Sequence, residues 1–306
     1  MKFLKAVESF KKYLAVERGY SPLTIKEYGM DLNLFYNYLV DKLNFSEDFN
    51  VEEISKYEVA EFLGDIILVD ENTPATRNRK LYSIRSFFNY LFKYEYIETN
   101  PAVTIEASKT EIRAEPIYLK LDDARRYVET IKRYGSINQK RDLAIVKLFL
   151  YAGLRVSELV NLNIDDIDFE TQSIKFYGKG NKERNLPLHH DVIEAIRDYI
   201  PERKEIKIKD EDAKSALFLS RYGRRISVRA VQQMVKKYAR MAGVRNSRKI
   251  TPHKLRHTFA SILYHKTKDI RIIQDLLGHA DISTTQIYTH TDIEQKKEAI
   301  NELPNF

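Results

Sequence analysis

Four histidines, an arginine and a tyrosine crowd the last fifth of the chain, in Thr251-Pro252-His253-Lys254-Leu255-Arg256-His257, Leu277-Gly278-His279 and Gln286-Ile287-Tyr288-Thr289-His290. Cations and hydrogen-bond donors of this kind can hold a phosphate, and a phenol beside them can attack it. His253 and Arg256 stand three residues apart on a helix that Thr251 can cap and Pro252 can open. Asp269 can cap the apolar run Ile272, Ile273, Leu276, Leu277, and Gly278 reads as its stop, which places His279 just past a helix end. Asp281 or Ser283 can start the short helix that carries Tyr288. Two further cations lie about a hundred residues upstream. Arg155 follows the Gly153 break between two helices, and Lys179 stands between two glycines at the tip of a hairpin.

Amphipathic helices must position these groups. The first hundred residues read as four helices, with stripes such as Phe3, Val7, Phe10, Leu14 and Leu81, Ile84, Phe88, Leu91 turned inward. Ser21-Pro22 and Thr73-Pro74 mark two of the starts. Asn100-Pro101 ends this domain, and residues 103–116 lack periodicity and read as a linker. It would reach roughly 40 Å at about 3.3 Å per residue, enough to cross one face of a DNA duplex. Helices resume near 121–133 and 141–152. The period then changes to short strands over 167–169, 173–177 and 184–188, with Gly178-Lys179-Gly180-Asn181-Lys182 as a turn. This hairpin is no P-loop, because the required spacing is missing and no helix follows. Helices return near 191–200, 228–242 and 292–303. The expected fold is mainly α in two domains: residues 1–102 as a helical bundle, 103–116 as linker, and 117–306 as an α-rich domain with a small antiparallel sheet.

The chain has 306 residues, enough for two ordinary cores, and no cysteine, which excludes disulfides and thiolate metal sites. It has neither an apolar run long enough to span a bilayer nor an N-terminus resembling a signal peptide, so the expected setting is the cytoplasm. The net charge of +7 divides unevenly. Residues 1–100 carry 13 basic and 16 acidic side chains, and the remainder carries 38 and 28. No acidic residue occurs between Asp212 and Asp269. A solvated surface is better served by mixed signs, so the tract points to a polyanion, nucleic acid above all.

Two groups of side chains are candidates for that contact. The fourth helix presents Arg77, Arg79, Lys80 and Arg85 among hydroxyl and amide residues, a combination that can sit against phosphates; an ordinary exposed basic helix fits it equally well. Arg224 and Arg225 precede the helix at 228–242. The outer side of that helix offers Arg229, Gln233, Lys236, Lys237 and Arg240. His253 and His257 share the spacing of a metal pair, but no glutamate between them and no nearby third ligand support one. No metal or cofactor is expected. His257 reads as a core residue, and Glu158 and Asp165 either orient Arg155 or serve as helix and turn residues.

Taken together, Ala152-Gly153-Leu154-Arg155, Gly178-Lys179-Gly180-Asn181-Lys182-Glu183-Arg184, His253-Lys254-Leu255-Arg256-His257, Leu276-Leu277-Gly278-His279 and Tyr288-Thr289-His290 resemble the tyrosine recombinase, or phage integrase, family. The resemblance covers essentially the whole chain, and its two-domain length looks most like the Xer branch. It implies an N-terminal core-binding, SAM-like bundle and a catalytic domain whose 292–303 helix makes subunit contacts. It also implies the catalytic set Arg155, Lys179, His253, Arg256, His279 and Tyr288. Tyr288 would be the nucleophile, forming a 3′-phosphotyrosyl link, with Arg155 and Arg256 on the non-bridging oxygens. His253 is the best candidate for the base, His279 would donate to phosphate, and Lys179 would protonate the leaving 5′ oxygen. Implied partners are double-stranded DNA with a two-armed site, a homo- or hetero-tetramer of recombinase subunits, and a DNA translocase as activator. No membrane is involved.

Site-specific recombination, of the kind that resolves chromosome or plasmid dimers, is the leading expectation. A mobile-element integrase would use the same chemistry, and a topoisomerase-like enzyme would relax supercoils without exchanging strands. A DNA-binding protein without catalysis would account for the charge but leave the nucleophile and its cations unexplained.

Overall fold

The computed structural model describes residues 1–109, 118–177 and 183–277. The chain divides into two compact units, Met1–Arg113 and Ala114–Phe306. The fold is mainly α, with one small antiparallel sheet.

The first unit holds α1 (Phe3–Val16), α2 (Pro22–Asp41), α3 (Lys56–Leu68) and α4 (Pro74–Lys93). Their starts follow from local chemistry. The side chains of Ser21 and Thr73 accept the Thr24 and Thr76 backbone N–H groups, and a proline opens each helix. The apolar stripes meet in an aromatic core, where the Phe87 ring lies 5.3 Å from Phe3 and 5.6 Å from Phe10. Leu14, Leu32, Leu39, Leu63, Ile84 and Leu91 complete it and are buried. The first stretch of the expected linker is bound along α4. Asn78 donates to the Ser108 carbonyl and accepts from its N–H, both at 2.8 Å. Arg77 donates to the Glu106 carbonyl, and Arg85 to those of Ala102 and Ile105. A segment without periodicity can still be ordered when side chains of a neighbouring helix satisfy its backbone.

The second unit is built on α6 (Gln139–Ala152), whose Ala144, Ile145, Val146, Leu148 and Phe149 are buried. It packs against α5 (Leu121–Tyr134), α8 (His190–Glu205) and α11 (Pro252–Thr267). Between them lie α7 (Val156–Asn161) and the strands β1 (Ile167–Asp168), β2 (Ser173–Tyr177) and β3 (Glu183–Pro187), paired in that order. In β2 and β3, Phe176 stands opposite Arg184 and Ile174 opposite Leu186. The helix expected to stop near residue 200 runs through Pro201 to Glu205. A proline inside a helix removes one backbone hydrogen bond. Tertiary contacts offset that loss, because buried Arg203 donates to the carbonyls of Ala213, Lys214 and Ala216. Those carbonyls lie in and just after α9 (Glu211–Ser215), a short helix capped by Asp210 that the sequence pattern does not announce. The unit continues with α10 (Val228–Met241) and α12 (Ile270–Leu277). Among the described residues, no helix is long and apolar enough to cross a membrane.

Candidate active site

Gly153 creates the first half of the site. It ends α6 in the left-handed conformation, with φ 60° and ψ 31°, where a side chain is strained. A Cβ there would also press into the Phe259 ring. The reversal lets α7 begin at once, with Arg155 as its extended N-cap residue. Glu158, one turn on, accepts the Arg155 backbone N–H at 2.7 Å and the Arg155 guanidinium at 2.7 Å.

The second half comes from α11. Thr251 caps it by accepting the Lys254 N–H at 3.3 Å, and Pro252 is its first residue. Thr258 ties this helix to the start of the unit by accepting the Leu119 N–H at 2.9 Å. The spacing directs Arg256 inward, where only 3% of it is exposed. Its guanidinium donates to the Gly153 carbonyl and, at 2.7 Å, to the Leu277 carbonyl. It also lies 3.8 Å from the Glu158 carboxylate. One buried carboxylate therefore stands between the two arginines that the sequence pairs across a hundred residues. Such an arrangement can present two guanidiniums to one anion while limiting their mutual repulsion.

His253 lies one turn before His257 on α11. Their Nε2 atoms are 2.8 Å apart, and the rings meet edge to face with centroids 4.4 Å apart. One imidazole must donate and the other accept. If His253 donates through Nε2, its Nδ1 lone pair is left to take a proton. His253 keeps contact with solvent, yet partial burial of the group is the main cause that lowers its pKa; Lys254, Arg256 and Arg155 add to that effect. The neutral imidazole is therefore favoured at neutral pH, as a base requires. A metal ion bridging the two rings, with bonds of about 2.0–2.1 Å, would hold the nitrogens farther apart. His189, His190 and Asp191, at the start of α8, bring possible ligand atoms within 4.8 Å of one another. They are partly committed, since His189 Nδ1 accepts the Asp191 N–H at 3.3 Å.

Arg155, His253 and Arg256 are thus brought together by α7 and α11. Lys179, His279, Tyr288 and the 292–303 helix lie outside the described residues. The sequence left Glu158 either to orient Arg155 or to serve as a helix residue, outside the catalytic set; the bonds to Arg155 at three-residue spacing match the first of these. His257 is buried, as a core residue would be, and its ring is also bonded to His253.

The basic side chains fall into two sets. On the outer side of α10, Arg229, Gln233, Lys236, Lys237 and Arg240 are exposed, while Val231, Met234, Val235 and Tyr238 are buried. Arg224 is exposed and lies 3.8 Å from Asp210. The other set holds its own unit together. Asp31, buried on α2, receives both nitrogens of the Arg79 fork, Lys80 at 3.1 Å and the Ser83 hydroxyl at 2.7 Å. Lys80 is itself buried, whereas about half of the Arg79 side chain remains exposed. Arg77 and Arg85 bind the 102–106 backbone from α4. Arg225 reaches the carbonyls of Val160 and Leu162, the Asn163 amide oxygen and the Asp212 carboxylate.

Comparison with known proteins gives the family of both units. The phage integrase family profile matches residues 118–295, and the phage integrase N-terminal SAM-like domain matches residues 7–95. A tyrosine recombinase XerC of Caldanaerobacter subterraneus subsp. tengcongensis is 40% identical, over 99% of this chain and 88% of the relative. A tyrosine recombinase XerD of Oceanobacillus iheyensis is 35% identical, over 93% of each. Among solved structures, the XerH site-specific recombinase bound to palindromic difH substrate, in its post-cleavage complex, superposes with a TM-score of 0.72. That match spans 97% of this chain and 84% of the other at 24% identity, a likeness of fold. With both units matched and relatives aligned over nearly the whole length, this chain belongs to the phage integrase family of tyrosine recombinases.

Proposed function

We propose that this protein is a site-specific DNA recombinase of the Xer type, which cuts and rejoins strands through a 3′-phosphotyrosyl intermediate. The observation that carries the reading is the placement of Arg155 and Arg256 on either side of Glu158, with His253 on the same helix as Arg256. In the reaction, the Tyr288 phenolic oxygen attacks the scissile phosphorus and forms the phosphotyrosyl bond. The bond to the 5′ oxygen breaks. His253 takes the phenolic proton, and Lys179 supplies a proton to the departing 5′ oxygen. Arg155 and Arg256 hold the non-bridging oxygens as charge builds on them, and His279 adds a hydrogen bond. Attack by the 5′-hydroxyl of a partner strand then reverses the step. The phosphodiester is conserved, so the chemistry itself calls for neither ATP nor a metal.

In this proposal the second unit meets DNA through the outer side of α10, Arg229, Gln233, Lys236, Lys237 and Arg240, together with Arg224, and the first unit meets it separately through Arg79. Arg77, Arg85, Lys80 and Arg225 are engaged within their own units, with the 102–106 backbone, Asp31, and the 160–163 segment and Asp212. The substrate is a two-armed site in double-stranded DNA, engaged by a recombinase tetramer in the cytoplasm, with a DNA translocase as a candidate activator. The residue 292–303 helix is the proposed contact between subunits. The test is a plasmid carrying two copies of a candidate site of about 28–30 base pairs, a length that assumes half-sites about one helical turn apart. Recombination should yield two circles whose junctions are joined within the site. Relaxed plasmid without exchange would contradict the proposal and favour a topoisomerase.

A further inference from the structure

Arg184 is the residue after Glu183 at the start of β3, across from Phe176, and its guanidinium lies 5.3 Å from the centre of that ring. The side chain leaves the sheet for another element. It donates to the carbonyls of Leu277 at 3.1 Å, Asp275 at 3.0 Å and Leu276 at 2.5 Å. These are the last three residues described for α12. A planar fork with several donors can bind neighbouring carbonyls together. The Leu277 oxygen is the same atom that receives Arg256 at 2.7 Å. Two guanidiniums from distant parts of the chain therefore converge on one carbonyl.

We infer that Arg184 is a positioning residue for Arg256: by clamping the end of α12 it fixes the Leu277 oxygen against which Arg256 is held. The inference rests on the recombinase reading and adds a residue to it. Without the clamp, three α12 carbonyls would lose their bonds to Arg184 and the Leu277 anchor could shift. Arg256 would keep its bond to Gly153 but lose the second point that sets the direction of its fork. Electrostatics couple the same groups, because the charge on Arg184 is favoured by Glu158 and disfavoured by Arg155, while burial is the largest influence and lowers its pKa. A lysine at position 184 would keep the charge and lose the fork.

The test is a double-mutant cycle on the full-length protein, using Arg184→Lys, Arg256→Lys and both together. Covalent adduct formation on a nicked suicide substrate is followed in single turnover, beside DNA affinity and thermal unfolding. Arg184→Lys should slow adduct formation about tenfold to a hundredfold, the scale typical of groups that orient a ligating side chain, with DNA affinity changed by less than about twofold. In the Arg256→Lys background the same substitution should cost much less, since the group it positions is already altered. Equal costs in both backgrounds, no cost at all, or a rate loss that only follows lost affinity or folding would each overturn the inference. A wild-type protein that forms no adduct would overturn the recombinase reading, and this inference with it. An active wild type with additive variants would overturn the inference alone.

Discussion

The Arg155 guanidinium meets the Glu158 carboxylate at 2.7 Å, and the other carboxylate oxygen accepts the Arg155 backbone N–H at the same distance. Arg155 is thus fixed at both ends by one side chain, which also lies 3.8 Å from Arg256. Glu158 is itself 6% exposed, so its charge acts with little screening by water. The carboxylate lets two guanidiniums be held close before any phosphate arrives. We predict that it positions both.

Glu158→Gln keeps an acceptor near Arg155 but removes the charge. Strand cleavage should fall about tenfold to a hundredfold, with DNA affinity nearly unchanged, in single-turnover assays on a suicide substrate. Glu158→Ala should in addition lower thermal stability by on the order of 3 kcal/mol, because it leaves Arg256 buried without its nearest carboxylate. Wild-type cleavage by Glu158→Gln would remove the residue from the account.

His253 should titrate below the ordinary histidine value of 6.5, since burial and three neighbouring cations all disfavour its charged form. The sign follows directly. The folded protein keeps the imidazole neutral where the unfolded chain has begun to bind a proton, so this group lowers stability as pH falls below 6.5. Cleavage that uses His253 as base should hold as pH is lowered to 6.5 and decline only below it. NMR titration of the ring protons, compared with His253→Gln and His257→Gln because the two rings are bonded, measures this. A midpoint at or above 6.5 in the DNA-free protein would contradict the expectation.

The outer side of α10 predicts a steep salt dependence of DNA binding. Each phosphate contact neutralised by a lysine or arginine contributes about −0.9 to the slope of log K against log salt. Lys236→Gln or Arg240→Gln should each flatten the slope by about one, measured by fluorescence anisotropy over a range of salt. A slope unchanged by both substitutions would place the DNA elsewhere.

Much of this was legible because it is local. Thr251-Pro252 announced α11, and the cap bond to Lys254 is there. Gly153 announced a break, and its left-handed backbone supplies one. The stripes Phe3, Val7, Phe10, Leu14 and Leu81, Ile84, Phe88, Leu91 are all buried. What a sequence hides is pairing at a distance. Nothing near Lys80 signals that Asp31, on another helix, takes up its charge, and nothing near Arg225 points to the carbonyls of Val160 and Leu162. Arg203 likewise carries a helix past Pro201 through carbonyls that lie beyond the helix itself. Glu158 lay between these cases. Its spacing from Arg155 was visible, but its approach to Arg256 depends on how α7 meets α11.

The central claim is that Tyr288 becomes covalently bonded to DNA. A suicide substrate, nicked close to the scissile phosphate so that the short cleaved fragment diffuses away, should trap the protein on the 3′ phosphate. Mass spectrometry of the digested adduct should place the nucleotide on the peptide containing Tyr288, and Tyr288→Phe should bind the same DNA without forming an adduct. An adduct that persists in Tyr288→Phe, or its absence from wild-type protein bound to a confirmed site, would contradict the account.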